Sequence, residues 1–246
     1  MDRSLFIESS GATQTLLAQT ANANNLANAQ TTGFKSDLQQ FRSMPVYGDG
    51  YPTRVYAMTE KPGTDFSQGG LQQTENPLDL AIKGEGFFAV RDSKGKEAYT
   101  RAGDFQMTPD GQLLSSSGLA VLDQDGQPIT IPAAERITIS GDGTINIIPF
   151  GQNGGGLVPV SQLKLIKPET KNIEKRPDGL VYIKDGTAQA DNASVEVVQG
   201  MIEGSNVSAI GAMVDMIELA RNFEMQSNVM KTAKENAAAG SKLLQM

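Results

Sequence analysis

Positions 5, 9, 12, 16, 19, 23 and 26 read Leu, Ser, Ala, Leu, Gln, Ala and Leu. The steps alternate four and three, which predicts a helix with a thin heptad seam rather than the wide apolar stripe of a globular core helix. This zone carries a single glycine before residue 33 and no proline. Gly33 suits the left-handed residue that ends a helix, and "SDLQQF" after it is expected to add a short helical turn. The other end of the chain repeats the pattern. Positions 213, 216, 220, 223, 227, 230, 234 and 237 read Met, Met, Ala, Phe, Ser, Met, Lys and Ala. Ser205 or Asn206 is the expected N-cap there, and Gly240 falls near the expected end.

Between the two helical zones the texture changes. Asp-Gly pairs stand at 110–111, 125–126, 142–143, 178–179 and 185–186, flanked by apolar runs such as "LDLAI", "GFFAV", "RITIS" and "GLVYI". Asp-Gly tolerates the positive φ angles of tight hairpin turns, so closely spaced pairs predict an antiparallel β domain. The fold class expected is α+β, with heptad-patterned helices at both ends and an antiparallel β-rich middle. The chain divides into an N-terminal helical segment at 1–43, an extended connector at 44–75, a β-rich domain at 76–200 and a C-terminal helix at 201–246. Residues 150–156 read as a loop.

Each terminal seam is too narrow to hold its helix alone. The first helix also collects asparagine at 22, 24, 25 and 28. Asparagine costs about 0.5 kcal/mol relative to alanine inside a helix, because its amide competes for backbone hydrogen bonds. Such helices must pair with each other or with helices of other subunits. Methionine at 213, 216, 225 and 230 suits an interface whose neighbours are uneven. Glu218 with Asn222, and Arg221 with Glu224, have the spacing of polar pairs on a solvated face.

Composition narrows the chemistry. The 246 residues include no cysteine and no histidine, which removes disulfides, thiolate metal sites and Ser–His–Asp or Cys–His catalysis. Carboxylate-pair catalysis stays formally open with 28 Asp and Glu residues, yet no spaced pair stands out beyond turn residues. A net charge of −7 argues against a nucleic-acid surface. The first residues lack the apolar run of a signal peptide, and no stretch reaches the roughly 20 apolar residues of a membrane span. A route out of the cytoplasm without a cleaved signal is therefore expected if the protein works elsewhere.

Four motifs have both a sharp and a plain reading. "GEGFFA" at 84–89 fits a dinucleotide fingerprint, but it continues as strand where a helix is required, so Gly84 and Gly86 read as a bulge or tight bend. "DQDGQ" at 123–127 suggests a calcium loop, but Val121 and Pro132 occupy positions that need oxygen ligands, and a hairpin turn fits better. "NAS" at 192–194 and "NVS" at 206–208 read as chance glycosylation sequons. "TRAGDF" pairs Arg101 with Asp104, and surface polar residues around a turn are the simpler explanation. Gly103 and Gly111 join Gly33, Gly84 and Gly86 as expected turn glycines.

Three stretches together resemble a known family. "ANNLANAQTTGFK" (23–35), "PLDLAIKGEGFFAV" with "YTRAGDFQMTPDGQLLSSSG" (77–90 and 99–118), and "EGSNVSAIGAMVDMIELARNFEMQ" (203–226) are similar to the bacterial flagellar rod and hook proteins, the axial proteins of the basal body. The likeness covers both ends and the middle. Length and Phe223 within "RNFEMQ" look like a proximal-rod member, and a distal-rod or hook subunit is the alternative. The remote alternative is a periplasmic enzyme or carbohydrate-binding β domain with helical dimerisation ends.

The resemblance implies a structural subunit of the periplasmic rod that transmits torque by packing, not an enzyme. Its terminal helices would form an inner coiled-coil layer and its β domain would lie outside. Copies would repeat through heterologous contacts that need not close into a ring. Partners would be further copies, other rod proteins and, in transit, the flagellar type III export apparatus, which passes such chains unfolded. No cofactor, metal, nucleic acid or small-molecule substrate is implied. Leu5, Leu16, Leu26, Ile210, Met213, Ile217, Phe223 and Met230 are the expected apolar anchors of the helical core. Asn24, Asn25 and Asn28 are expected to hydrogen-bond between helices.

Overall fold

The computed structural model describes residues 4–45, 55–59, 63–151, 156–192 and 194–243. It is α+β, with a helix near each end and antiparallel strands between. The chain forms two units. The first holds helix α1 (Ser4–Ala27), helix α2 (Ala209–Leu243) and the strands between Ser36 and Asp65; the second comprises Gln30–Lys35 and Phe66–Asn206.

In the first unit α1 and α2 pack against each other. The α1 helix stops at Ala27 rather than at Gly33. The Asn28 amide side chain donates to the Asn24 carbonyl at 2.9 Å, the same carbonyl that the Asn28 N–H reaches at 3.1 Å. This competition for a last-turn acceptor is what makes asparagine a helix terminator. α2 starts later than expected: Ser208, not Ser205 or Asn206, caps it, its Oγ accepting the Gly211 N–H at 3.2 Å. Gly240 lies inside α2.

"SDLQQF" forms no helical turn. Asp37–Leu38 pairs antiparallel with Gly63–Thr64, and Phe41–Pro45 pairs with Val55–Thr59. Asn25 explains the first of these. Its amide donates to the Asp37 carbonyl at 2.9 Å and its oxygen accepts the Asp37 N–H at 2.8 Å. A side-chain amide satisfies both backbone groups of Asp37 and holds the chain extended. Removing both bonds with Asn25→Ala is expected to lower the opening free energy of this ribbon by about 1–2 kcal/mol. Faster hydrogen exchange at Asp37, with the middle of α1 unchanged, is the readout.

The second unit is built on an antiparallel sheet. Its strands lie in the order Ile173–Lys175, Val181–Ile183, Glu97–Thr100, Phe87–Arg91, Ala120–Val121, Leu113–Ser115 and Phe105–Met107, with Leu165–Ile166 also on Phe87–Arg91. Successive side chains of a strand point to opposite faces. Accordingly Phe88 and Val90 join a core with Leu80, Ile82, Phe105, Leu113 and Leu165, while Phe87 and Ala89 join another with Tyr99, Ile166, Ile173 and Val181. "GFFAV" is an unbroken apolar run because this strand is covered on both sides. Phe88 and Phe105 meet edge-to-face at 5.1 Å.

The Asp-Gly turns differ from the two-residue type in one respect. Gly111, Gly126, Gly143, Gly179 and Gly186 all have φ between 66° and 83°, but each donates its N–H to the carbonyl three residues earlier. The glycine is therefore the last turn residue, as in a type I turn followed by a left-handed position. The "DQDGQ" segment is one of these turns, with the Asp123 carboxylate accepting the Gln127 N–H at 2.8 Å. A three-stranded sheet, Ala134–Ile139, Thr144–Pro149 and Val158–Gln162, adds to the first core. Two further strand pairs close the unit: Leu80–Lys83 with Glu196–Gln199, and Leu71–Gln73 with Met201–Glu203. Of the expected 150–156 loop, residues 152–155 lie outside the described residues.

Candidate functional site

The helix pair of the first unit is assembled with its small residues inside. On α1 the buried residues are Ala12, Thr15 and Ala18, and on α2 Ala212 is buried. Gly11 lets the helices approach, since a Cβ there would lie 3.3 Å from Gln226 Nε2. Side-chain bonds cross the pair from Thr15 Oγ1 to Gln226 Oε1 at 3.2 Å and from Asn22 Nδ2 to the Ala212 carbonyl at 2.7 Å.

Several large apolar residues lie on the outside, while Met216, Leu219, Phe223 and Met230 of α2 are half-buried. Phe6, Leu16 and Leu17 of α1 are exposed, as are Ile210, Met213, Val214, Ile217, Met225 and Val229 of α2. Ile210 is 78% exposed. Residues 210, 213, 214 and 217 have the spacing of one helix face, so they form a continuous stripe. A stripe of this kind normally faces a core, and in water it marks an interaction surface.

The residues expected from the sequence to anchor the helical core fall into two groups. Leu16, Ile210, Met213 and Ile217 are on the exposed faces, while Leu26, Phe223 and Met230 are half-buried. The side chain of Leu5 lies outside the described ones. The bonds described for Asn24, Asn25 and Asn28 run within α1 and to Asp37, and it is Asn22 that reaches α2. The seam drawn through 5, 9, 12, 16, 19, 23 and 26 coincides only in part with the side of α1 that meets α2: Ala12 is buried and Leu26 half-buried, while Ser9, Leu16 and Ala23 are exposed. Of the periodic leucines, Leu16 lies on the side that α2 leaves uncovered.

The second unit carries a buried charge cluster. The Lys35 Nζ sits 2.6 Å from Glu203 Oε1, and the Arg101 guanidinium lies 2.6 Å from Glu203 Oε2, with all three side chains at most 4% exposed. The remaining donors are met by backbone. Arg101 donates to the Gly84 and Gly86 carbonyls, each at 2.6 Å, and Lys35 to the Ser67 carbonyl at 2.6 Å. The Gly69 N–H donates to Glu203 Oε1 at 3.0 Å.

Glycines make room for these passages. Gly33, at φ +66°, donates its N–H to the Glu203 carbonyl at 2.7 Å, and a Cβ there would lie 2.3 Å from the Ala102 nitrogen. Gly103 is a close approach rather than a turn: a Cβ would lie 1.7 Å from the Leu80 carbonyl oxygen.

This overturns the plain reading of "TRAGDF". Arg101 is no surface residue but one member of a buried ion cluster, and Asp104 pairs through its backbone with Asp79 in an isolated antiparallel β-bridge. Sequence reasoning missed Lys35 and Glu203 altogether. The available signal was that "TGFK", "TRAG" and "EGS" each place a charge within two residues of a glycine. Among the described residues there is no cluster of three carboxylates fit to hold a metal ion, and no helix is long and apolar enough to cross a membrane.

Two units, one a helix pair from both chain ends and one an antiparallel β domain, define the class in which this chain falls. Residues 81–147 match the family described as "Flagellar hook protein FlgE/F/G D1 domain", and residues 198–243 match "Flagellar basal body rod FlgEFG protein C-terminal". The chain belongs to this flagellar rod and hook protein family, and within it is most like FlgF. It is 39% identical to the flagellar basal-body rod protein FlgF of Escherichia coli (strain K12) over the full length of both chains. Identity to FlgF of Salmonella typhimurium is 38%, again over both full lengths. The flagellar basal-body rod protein FlgG of Agrobacterium fabrum is 30% identical over 90% of this chain and 92% of its own.

Proposed function

We propose that the chain is a structural subunit of the flagellar basal-body rod, in its proximal part, and that it passes torque across the periplasm by packing rather than by catalysis. The observation that carries this reading is the exposed apolar stripe on the helix pair. The fully buried residues of the α1–α2 pair are small or polar, while a stripe of large apolar residues faces water. Covering a Leu, Ile or Met side chain contributes about 1.5–3 kcal/mol, so neighbouring subunits that cover the stripe gain what the isolated subunit forgoes.

In this reading Leu16, Ile210, Met213 and Ile217 contact other subunits, and Leu26, Phe223 and Met230 support the pair. The partners are further copies and other rod proteins, arranged through heterologous contacts. Helices Ser4–Ala27 and Ala209–Leu243 form the helical part of the rod, and the β unit that spans Phe66–Asn206 forms the part that touches neighbours laterally. The chain reaches its place unfolded, through the flagellar export apparatus. The higher identity to FlgF than to FlgG favours the proximal rod over the distal rod or hook. Deleting the gene and imaging basal bodies by electron microscopy tests the role: truncated rods without hooks are expected. Complete rods and hooks in the deletion strain would remove the assignment.

A further inference from the structure

Glu203 is the shared counter-ion of two buried cations that come from distant parts of the sequence. Lys35 is 168 residues away and Arg101 is 102 away. In chain order Lys35 follows α1, and Glu203 precedes α2. The first passage is also held by Lys175, which donates to the Lys35 carbonyl at 2.6 Å and lies 3.8 Å over the Phe34 ring, and is tied to the second by the Asn206 N–H on the Phe34 carbonyl at 3.3 Å. Met201–Glu203 pairs with Leu71–Gln73, whose residues are all exposed, so apolar burial on that strand pair is slight. Besides its own ladder, the charges and three backbone donors hold this strand pair: Gly33 to the Glu203 carbonyl, Gly69 to the Glu203 carboxylate, and Gly204 to the Gly70 carbonyl at 2.8 Å.

A buried charge deprived of its partner is far more destabilising than the pair is stabilising. Segment 30–35 therefore cannot dock with Lys35 buried unless Glu203 is in place. Arg101 meets only Oε2 of the nearly fully buried Glu203, so losing Lys35 leaves Oε1 with the Gly69 N–H and no cation. We propose that the Lys35–Glu203–Arg101 cluster is a two-key lock: residues 30–35 and 201–204 become ordered together, and neither stays ordered without the other. Lys35 leaves the ribosome long before Glu203. The lock thus keeps the passage that follows α1 unordered until the chain is complete through the segment that leads into α2.

Amide hydrogen exchange on the full-length protein tests this, with Lys35→Met and Glu203→Gln compared with the unchanged chain. The reporters are the Gly33, Gly69 and Gly204 amides. The references are Ala89 and Leu122, whose N–H groups bond within the sheet core. Each single substitution is expected to speed exchange at all three reporters together by about 100-fold, leaving the references unchanged. If Lys35→Met frees Gly33 alone, or frees none of the three, the segments are independently anchored and the proposal falls. If Glu203→Gln unfolds the whole unit, Lys35→Met decides by the same criteria. Loss of reference protection in Lys35→Met as well would make the cluster a general core element and would equally overturn the lock.

Discussion

A chain carrying Ile210→Gln, Met213→Gln and Ile217→Gln is expected to fold normally and fail to build a rod. All three side chains are more than half exposed, and glutamine is a good helix former. Surface changes away from packed contacts stay within about 0.5 kcal/mol each, so the thermal transition should be nearly unchanged. In the assembled rod the same substitutions place polar amides under a neighbouring helix, where each unpaired polar group costs about 1–3 kcal/mol. Swimming in soft agar is expected to drop to that of the deletion strain, with the variant protein present at normal level. Normal spreading by a stably produced variant would mean that the stripe faces no partner.

Gly103→Ala should act on the fold itself. The added methyl would lie 1.7 Å from the Leu80 carbonyl oxygen, far inside contact distance, and the Leu80 N–H already donates to the Gly103 carbonyl at 2.9 Å. Relief requires separating the Leu80 backbone from Gly103, between fully buried Leu80 and Phe105. The expected loss is about 3 kcal/mol or more, at the upper end for overpacking. Urea unfolding followed by circular dichroism reads it as a lowered midpoint at unchanged slope. A midpoint within error of the unchanged protein would show that the approach at Gly103 is not held by the core.

The sequence made some of this architecture readable and hid the rest for physical reasons. Asp-Gly punctuation marked the antiparallel turns because a left-handed residue is needed at each of them and few residues adopt it. The helices were legible from three-four spacing. Their orientation was not, because periodicity shows that an apolar face exists and says nothing about which partner covers it. Leu16 and Ile217 stand in regular patterns whose partner is not the helix beside them. The end of α1 was misplaced because Gly33 looks like a helix stop, while the stop is local competition by Asn28 and Gly33 serves the close approach to Arg101 and Ala102. The ion cluster was illegible because its members are separated by up to 168 residues, and a charge beside a turn glycine usually lies in water.

The central claim is that the large apolar residues left in water by the α1–α2 pair are covered by neighbouring subunits in the rod. Since the chain has no cysteine, a single Ile217→Cys gives an unambiguous probe. Its reaction with a maleimide, measured in the purified subunit and in intact basal bodies, tests the claim directly. Rapid labelling of the free subunit and strong protection in basal bodies, restored on denaturation, is the predicted result. Equal labelling rates in the two states would contradict the account.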